Sequence, residues 1–164
     1  MEAARTVRGR YFEEFEIGDR VVSPGRTVTE TDVVLFAGLS GDYNQLHTDA
    51  EFARNTPFGE RIAHGVLGLA IATGLVARLG VIEGTAEAFT GLDWKFRAPI
   101  KIGDTIHVVA EVIRKKEMKR LGGGFITLSV QVINQRDEVV QKGTWTALIR
   151  SRPQEEPEED EATP

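Results

Sequence analysis

Apolar residues recur at every second position through much of the C-terminal half of the chain. The pattern is found in four segments: 88–96, 105–112, 126–132 and 139–150. A period of two is typical of strands that bury one face. Glycines 122–124 and the pair Arg136-Asp137 supply turn residues between neighbouring segments. We therefore predict four antiparallel strands.

A different pattern precedes these strands. Residues 64–79 are apolar on every helical face, which predicts a long helix that ends at Gly80 and is enclosed rather than half exposed. Several of its residues are glycine or alanine, so the helix is thin enough for a sheet to wrap closely around it. The predicted fold class is α+β, with an antiparallel sheet wrapped around one long central helix.

Shorter elements are predicted upstream of the long helix. Residues 21–29 form a strand that is broken around Ser23-Pro24-Gly25. The sequence from Thr29 to Asp32 matches a capping box and begins a short helix that stops at Ser40-Gly41. Thr48-Asp49 can cap a second short helix that runs through Arg54. The stretch GDYNQLH between these two helices is predicted to be a loop.

The chain of 164 residues is long enough for one domain. We assign residues 1–10 to a flexible N-terminus, 11–153 to the folded domain and 154–164 to a disordered tail. The tail carries six acidic residues and no basic one, so the remainder of the chain is near neutral despite a net charge of −5. A near-neutral body offers no strong field to a phosphate backbone, and we expect no nucleic acid partner.

The absence of cysteine excludes disulfides, a thiolate nucleophile and a cysteine-ligated zinc site. It fits a reducing compartment, and we expect a cytoplasmic protein. The first 15 residues lack the apolar segment of a signal peptide. The longest uncharged apolar run, Gly65–Ala77, has 13 residues and is too short to cross a membrane, so no membrane association is expected.

The GDYNQLH stretch contains candidate acid–base chemistry. A carboxylate and an imidazole, Asp42 and His47, could exchange protons with one bound water. Asn44 could hold the loop through bonds from its side chain to the backbone. The alternative is an ordinary polar turn with a structural histidine, and the spacing alone does not decide between them.

Two further features bear on the chemistry of the site. The start of the long helix at His64-Gly65 exposes unpaired N–H groups to a carbonyl oxygen that gains negative charge, although Gly65 could instead serve only close packing. Three histidines, His47, His64 and His107, could in principle bind zinc. Metal-ligand spacing is absent and His107 falls on the polar face of a strand, so we predict no metal.

Three separated segments resemble one known family. They are FAGLSGDYNQLHTD (36–49), the pair Phe58-Gly59 with the helix start Ile62–Gly65, and GLDWKFRAPIKIGD (91–104). Together they resemble the MaoC-like, hydratase-2 type (R)-specific enoyl-CoA hydratases, over most of residues 11–150. The resemblance implies a single hot dog fold, and a homodimer whose sheets join edge to edge with active sites near the interface.

The resemblance also implies roles for individual residues. Asp42 and His47 match the catalytic pair, and Gly65 matches the backbone donor of the oxyanion hole. Asn44 matches a loop-supporting residue, and His64 is placed with the supporting residues. Gln45 stands where the family commonly has proline, which leaves the substrate range open.

Further residues are assigned more loosely. The family often carries a hydroxyl on the central helix near the catalytic pair, and here that position is assigned to Thr73. The alternative is that Thr73 bonds back to the preceding helical turn. Lys95, Arg97 and Lys101 are candidates to bind the phosphates of coenzyme A, with solvated surface as their alternative.

The implied reaction is reversible syn addition of water to a trans-2-enoyl-CoA, without a metal or redox cofactor and with the acyl-CoA as the substrate partner. Two alternatives remain open on the sequence. One is an acyl-CoA thioesterase, in which carboxylate and water act at the carbonyl. The other is a hot dog subunit that binds acyl groups without turnover.

Overall fold

The computed structural model describes residues 9–153. The predicted acidic tail, 154–164, and residues 1–8 of the predicted flexible N-terminus lie outside this range. The strands are β1 (Arg20–Val22), β2 (Arg26–Thr27), β3 (Ala86–Phe96), β4 (Thr105–Met118), β5 (Gly123–Ile133) and β6 (Val139–Arg150). The α-helices are α1 (Glu30–Ser40), α2 (Gln45–Thr48), α3 (Ala50–Arg54) and α4 (Gly65–Ala77).

The strands form an antiparallel sheet in the order β1-β4-β5-β6-β3, and β2 pairs with β4 beside β1. Helix α4 packs its Leu67, Ile71 and Leu75 into the main core together with residues from β4, β5 and β6. The predicted α+β architecture, a sheet around one long helix, is confirmed.

The period of two in β4 appears directly in its burial. Ile106, Val108, Ala110 and Val112 are each at most 3% exposed, whereas His107 between them is half-buried. Burying a valine or isoleucine side chain contributes about 1.5–3 kcal/mol. The inward face of β4 therefore contributes much of the apolar contact between the sheet and α4.

The short upstream elements also follow the sequence. The predicted strand is broken between β1 and β2, and the capping box is formed, with Asp32 N–H donating to Thr29 Oγ1 at 3.3 Å and Thr29 N–H to the Asp32 carboxylate at 2.8 Å. Asp49 caps α3 by accepting from Phe52 N–H at 3.0 Å. The predicted GDYNQLH loop is only partly correct, because its last three residues, Gln45–His47, belong to α2.

The prediction that α4 is enclosed on all sides is wrong for a single chain. One stripe of the helix is exposed: Val66, Ala70, Thr73, Gly74 and Ala77. The sheet covers only the opposite side, so an all-apolar helix keeps an uncovered apolar face. The adjacent strand β3 lies at the edge of the sheet and is exposed along most of its length.

Residues 9 and 10, at the end of the predicted flexible N-terminus, make backbone hydrogen bonds. Gly9 and Arg10 donate backbone hydrogen bonds to Gly80 and Val81, both at 2.8 Å. These two residues are thus held against the chain that follows α4. No helix among residues 9–153 has the length and apolar character needed to cross a membrane.

A buried carboxylate ties the start of β4 to the β5–β6 hairpin. Asp104 is 3% exposed and accepts hydrogen bonds from Lys101 N–H, the Gln135 amide and the Arg136 guanidinium, at 2.9, 2.7 and 2.8 Å. Burial alone would raise the pKa of Asp104, but these hydrogen bonds and the charge of Arg136 lower it below its ordinary value. The charged form is therefore the one that stabilises the fold.

We expect Asp104→Asn to lower the free energy of unfolding by about 1–3 kcal/mol at neutral pH, because buried donors lose a charged acceptor. A lowered folded-state pKa gives stabilisation that is complete above the unfolded-state pKa and is lost as pH falls through the folded value. The difference between wild type and variant should therefore shrink in acid. Denaturant unfolding between neutral and acidic pH measures it.

Asp137→Asn is the matched control in the same hairpin. Asp137 is exposed and has a φ of 59°, which asparagine also tolerates. Its effect should stay within about 0.5 kcal/mol. A pH-independent cost for Asp104→Asn would contradict the role of the charge.

Candidate active site

The connection between α1 and α2 is shaped by local backbone rules. Gly41 ends α1 in the left-handed region, with a φ of 75°. Asp42 follows in an exposed turn, where its carboxylate accepts from Asn44 N–H at 3.2 Å. Asn44 in turn caps α2, since its side-chain oxygen accepts from Leu46 N–H at 2.9 Å. The side-chain-to-backbone bond expected of Asn44 is present.

The replacement of proline by Gln45 has a simple local explanation. Gln45 is the first residue of α2. Proline suits that position because an N–H there has no acceptor within the helix and its φ is already helical. The Asn44 cap supplies the helix start without proline, so the turn keeps its form.

His47 lies on α2, half-buried, and its Nδ1 is 2.8 Å from the carbonyl oxygen of Ile62. A carbonyl can only accept, so Nδ1 carries the proton when the ring is neutral. The lone pair is then on Nε2. In its neutral form, His47 therefore presents Nε2 as an acceptor, and no hydrogen bond to that nitrogen is found among residues 9–153.

His64 immediately precedes α4 and is 3% exposed. Its Nε2 is 2.9 Å from the carbonyl oxygen of Asp42, so this nitrogen donates. Its ring stacks on that of His47 with centroids 3.8 Å apart and also contacts Phe36. His64 therefore supports the site twice, by holding the Asp42 backbone and by backing the His47 ring.

The predicted pair, Asp42 and His47, is brought together. One side-chain atom from each of Asp42, His47 and His64, a carboxylate oxygen or a ring nitrogen, lies within 4.8 Å of the other two. Asp42 is exposed and the ring of His47 is partly exposed, so the pair can meet a small molecule from outside. A carboxylate and a neutral imidazole at this separation can share one water.

A cavity of about 440 Å³ opens beside His47 and the first turn of α4. Its lining includes His47, Phe58, Gly65, Phe96, Arg97 and Gln141. The N–H groups of the first helical turn have no acceptor within the helix, and Gly65 begins that turn. A carbonyl oxygen in the cavity could accept from the helix start while its chain lies along apolar walls.

An ion pair holds the segment before α4 in place. Both terminal nitrogens of Arg61 donate to the carboxylate of Glu30, at 2.8 and 2.7 Å. The hydrogen bond from Arg61 lowers the pKa of Glu30, and Glu30 raises the pKa of Arg61. The pair fixes the segment next to Ile62, whose carbonyl orients His47.

The three predicted coenzyme A contacts have different surroundings. Arg97 lines the cavity. Lys101 is bound to the carboxylate of Glu60. Lys95 lies between two inward-facing residues of β3, Trp94 and Phe96, so alternation along the strand turns it to the other face of the sheet. Arg97 is the one of the three that the structure places at the cavity.

Thr73 is not at the cavity with His47 and Gly65. Its hydroxyl donates to the carbonyl of Ala70 at 2.8 Å, and it borders a separate apolar cavity of about 90 Å³ that includes Phe89 and Trp145. Within one chain, Thr73 therefore bonds back to the preceding helical turn, which is the alternative that the sequence left open.

Comparison with known proteins fits this arrangement. The family model of the MaoC like domain matches residues 14–134. The chain belongs to the MaoC-like domain family. The resemblance drawn from the sequence motifs is thereby confirmed.

Three curated relatives illustrate how this MaoC-like chain compares. It is 37% identical to 3-hydroxybutyryl-CoA dehydratase of Methylorubrum extorquens, over 96% of this chain and 91% of that protein. It is 31% identical to (R)-specific enoyl-CoA hydratase of Rhodospirillum rubrum, over 87% and 93%. It is 42% identical to Protein MaoC of Klebsiella aerogenes over 65% of this chain, but that match spans only 31% of the longer protein.

Two solved structures define the fold. A monoamine oxidase regulatory protein from Archaeoglobus fulgius matches with a TM-score of 0.82 at 43% identity, covering 88% of this chain and 97% of that one. A Mycobacterium tuberculosis protein with a double hotdog fold matches with a TM-score of 0.76 at 21% identity, covering 91% and 46%. The MaoC-like chain is thus a single hot dog fold, as predicted.

The same three side chains raise the question of a metal. Asp42, His47 and His64 are suitable ligand types within reach of one another, whereas His107, considered from the sequence, lies apart on β4. In this structure His47 Nδ1 and His64 Nε2 already contact backbone carbonyls. The prediction that no metal is used remains a prediction.

Gln141 at the cavity was not identified from the sequence. It is 1% exposed on β6, and its amide bonds both Trp94 and Gly65. A signal was available, because Gln141 has the same parity as Trp145, Ala147 and Ile149 on the inward face of that segment. A polar residue at a core position indicates a specific partner.

We expect nuclear magnetic resonance to detect the two tautomers that these contacts require. In long-range ¹H–¹⁵N spectra above the titration range of the rings, His47 should be protonated at Nδ1 and His64 at Nε2. The half-buried His107 serves as a control, because no hydrogen bond from its ring is found among the described residues and it should show tautomer averaging. A proton on His47 Nε2 would contradict the contact with Ile62.

Proposed function

We propose that this MaoC-like chain is an (R)-specific enoyl-CoA hydratase that reversibly adds water to trans-2-enoyl-CoA. The observation that carries the proposal is the meeting of Asp42 and His47 beside the cavity at the first turn of α4. The relatives named hydratase or dehydratase support the reaction class. The acyl chain that it prefers is left open.

The helix start would polarise the substrate. The thioester oxygen accepts from the Gly65 N–H, in the field of the positive end of α4. Electron density moves from the double bond toward that oxygen, which leaves the β carbon open to attack. A donor of this kind typically contributes about 3–4 kcal/mol to transition-state stabilisation.

The pair then takes one proton from water and returns it to the substrate. A water between Asp42 and His47 loses a proton to one of them as its oxygen bonds to the β carbon. That proton, kept by the acceptor or passed to the other member of the pair, is then delivered to the α carbon, which restores the carboxylate and the neutral imidazole. The net change is addition of one water, so no redox cofactor is required. The free Nε2 of His47 suits a proton acceptor, and the acid and base roles stay exchangeable because two groups that share one water can pass a proton between them.

Binding of the coenzyme would use the rim of the cavity. Arg97 is the cationic residue in the lining, and the described residues show no ion pair that occupies it. A guanidinium there can bind a phosphate of coenzyme A as the thioester enters. The apolar side chains of Phe58 and Phe96 then contact the acyl part.

We also propose that the chain acts as a homodimer. The edge strand β3 exposes Phe89, Leu92 and Phe96, at 55%, 48% and 55%. The bare stripe of α4 adds Val66, which is 55% exposed. A long apolar edge strand has unpaired backbone groups that can hydrogen-bond a strand of another chain. A second copy joined along β3 would cover this surface.

Asp42→Asn and His47→Gln should each lower kcat for hydration of crotonyl-CoA by about 10²–10⁴-fold, because each removes a proton-transfer group. The loss of the enoyl thioester absorbance band measures the rate. His107→Gln, which changes a histidine on β4 outside the cavity lining, should leave the rate unchanged.

Full activity in either pair variant would overturn the assignment. Release of free thiol from the wild type with retention of the double bond would favour the thioesterase. Acyl-CoA binding without turnover would favour a binding subunit. Dialysis against EDTA should leave the rate intact, and a loss restored by zinc would show that the three ligand-type side chains use a metal.

Leu92→Glu should shift the protein from dimer to monomer at micromolar concentration, because it places a charge in the proposed β3–β3 contact. Light scattering after size exclusion measures the mass. Leu121→Glu is a matched control, since Leu121 is also 48% exposed but lies at the turn between β4 and β5. A wild-type monomer, or a dimer unaffected by Leu92→Glu, would contradict this interface.

A further inference from the structure

A buried amide connects the inner face of the sheet to the start of α4. Gln141 is 1% exposed. Its oxygen accepts from the Trp94 indole N–H at 3.0 Å, and its nitrogen donates to the Gly65 carbonyl at 2.9 Å. An indole can only donate and a carbonyl can only accept, so the two partners fix which way the amide points.

The sheet is irregular where this residue lies. Gln141 pairs with Val132 and Val139 pairs with Ile133, so Val140 is an extra residue in β6. Val140 and Gln141 are both buried despite being neighbours in a strand. A bulge re-aims the side chains beside it, which accounts for the burial of Val140 next to Gln141, while Gln141 keeps the inward parity of Trp145 and Ile149.

The first turn of α4 has few restraints of its own. Gly65 has no side chain, and His64 makes no side-chain cap to the helix. Gly68, one turn further on, is glycine as well. A methyl group at Gly68 would lie 2.4 Å from the Gln141 amide nitrogen, so this glycine gives the amide room to reach Gly65. Glycine is the residue that loses most backbone freedom on folding, and this turn contains two.

The amide acts on the residue that presents the oxyanion donor. The carbonyl and the N–H of Gly65 flank the same α carbon, so fixing the carbonyl direction limits the rotation available to the N–H. On its other side, Gly65 faces the ring of Phe96, which a methyl group at Gly65 would approach to 2.9 Å. Gly65, Phe96 and Gln141 all line the cavity.

We propose that Gln141, oriented by Trp94, is a positioning residue that holds the Gly65 N–H toward the thioester oxygen. This inference rests on the proposed hydratase function. It adds a residue of β6, 76 positions along the chain from Gly65, to the machinery that polarises the substrate.

Three variants separate positioning from mere packing. Gln141→Leu keeps the approximate volume and removes both hydrogen bonds. Gln141→Glu keeps the acceptor for Trp94, but it can donate to the Gly65 carbonyl only when the introduced carboxyl is protonated. Trp94→Phe removes only the donor that orients the amide, and it tests the same contact if a Gln141 variant fails to fold.

Gln141→Leu should lower kcat by about 10–100-fold with KM within about threefold, since a misplaced donor weakens the transition state more than binding. Trp94→Phe should show a smaller fall in kcat. The ratio of Gln141→Glu to wild-type kcat should rise as pH falls, because the protonated carboxyl restores a donor. Gln131→Leu and Gln131→Glu, at an exposed position of β5, are the matched controls and should match wild type at each pH.

Unchanged kcat in both Gln141→Leu and Trp94→Phe would overturn the proposal. So would a ratio for Gln141→Glu that does not vary with pH. The Gly65 amide resonance is a readout without substrate: it should shift in Gln141→Leu and not in Gln131→Leu. If the wild type were inactive but the Gly65 resonance shifted in Gln141→Leu, only the hydratase proposal would fail. If the wild type were active but the resonance did not shift in Gln141→Leu, the positioning role would fail.

Discussion

Two histidines from separate segments each hydrogen-bond a backbone carbonyl in the segment that carries the other, and the geometry of the site depends on these reciprocal contacts. His47 on α2 donates to the carbonyl of Ile62, which leads into α4, and His64 at the start of α4 donates to the carbonyl of Asp42, which leads into α2. Their rings stack between these two bonds. The carbonyl that each ring contacts fixes the tautomer of that ring. The same hydrogen bond holds the segment that carries the carbonyl in position. This interlock keeps the carboxylate of Asp42 and the free nitrogen of His47 close to the first turn of α4.

The helix start is defined from the opposite side by the sheet. Gln141 reaches across Gly68 to the carbonyl of Gly65, and Phe96 packs against the same residue. The cavity is lined by His47, and also by Phe96 and Gln141 from the inner face of the sheet that orients the helix. An enzyme that stabilises a developing charge gains from donors that are already aimed, because no reorganisation is needed during the reaction.

A single chain does not cover α4 completely. A helix that is apolar all round needs cover on every side, and one curled sheet covers only part of it. The stripe along Val66, Ala70 and Thr73 is left beside the apolar edge strand β3. The proposed pairing of two copies would cover both exposed surfaces.

The sequence by itself determined the four long strands, the capping box of α1, the turns, and the candidates Asp42, His47 and Gly65, because these follow from local periodicity, local hydrogen bonding and a family motif. Only the tertiary structure decided the rest. It paired Lys101 with Glu60, turned Lys95 to the far face, directed Thr73 away from the cavity, and brought Gln141 to Gly65. These outcomes depend on strand register and on contacts between residues distant in the chain. Alternation along β6 places Gln141 on the inward face, but residue spacing does not give the partners of these side chains, since a shift of one position in a strand exchanges its two faces.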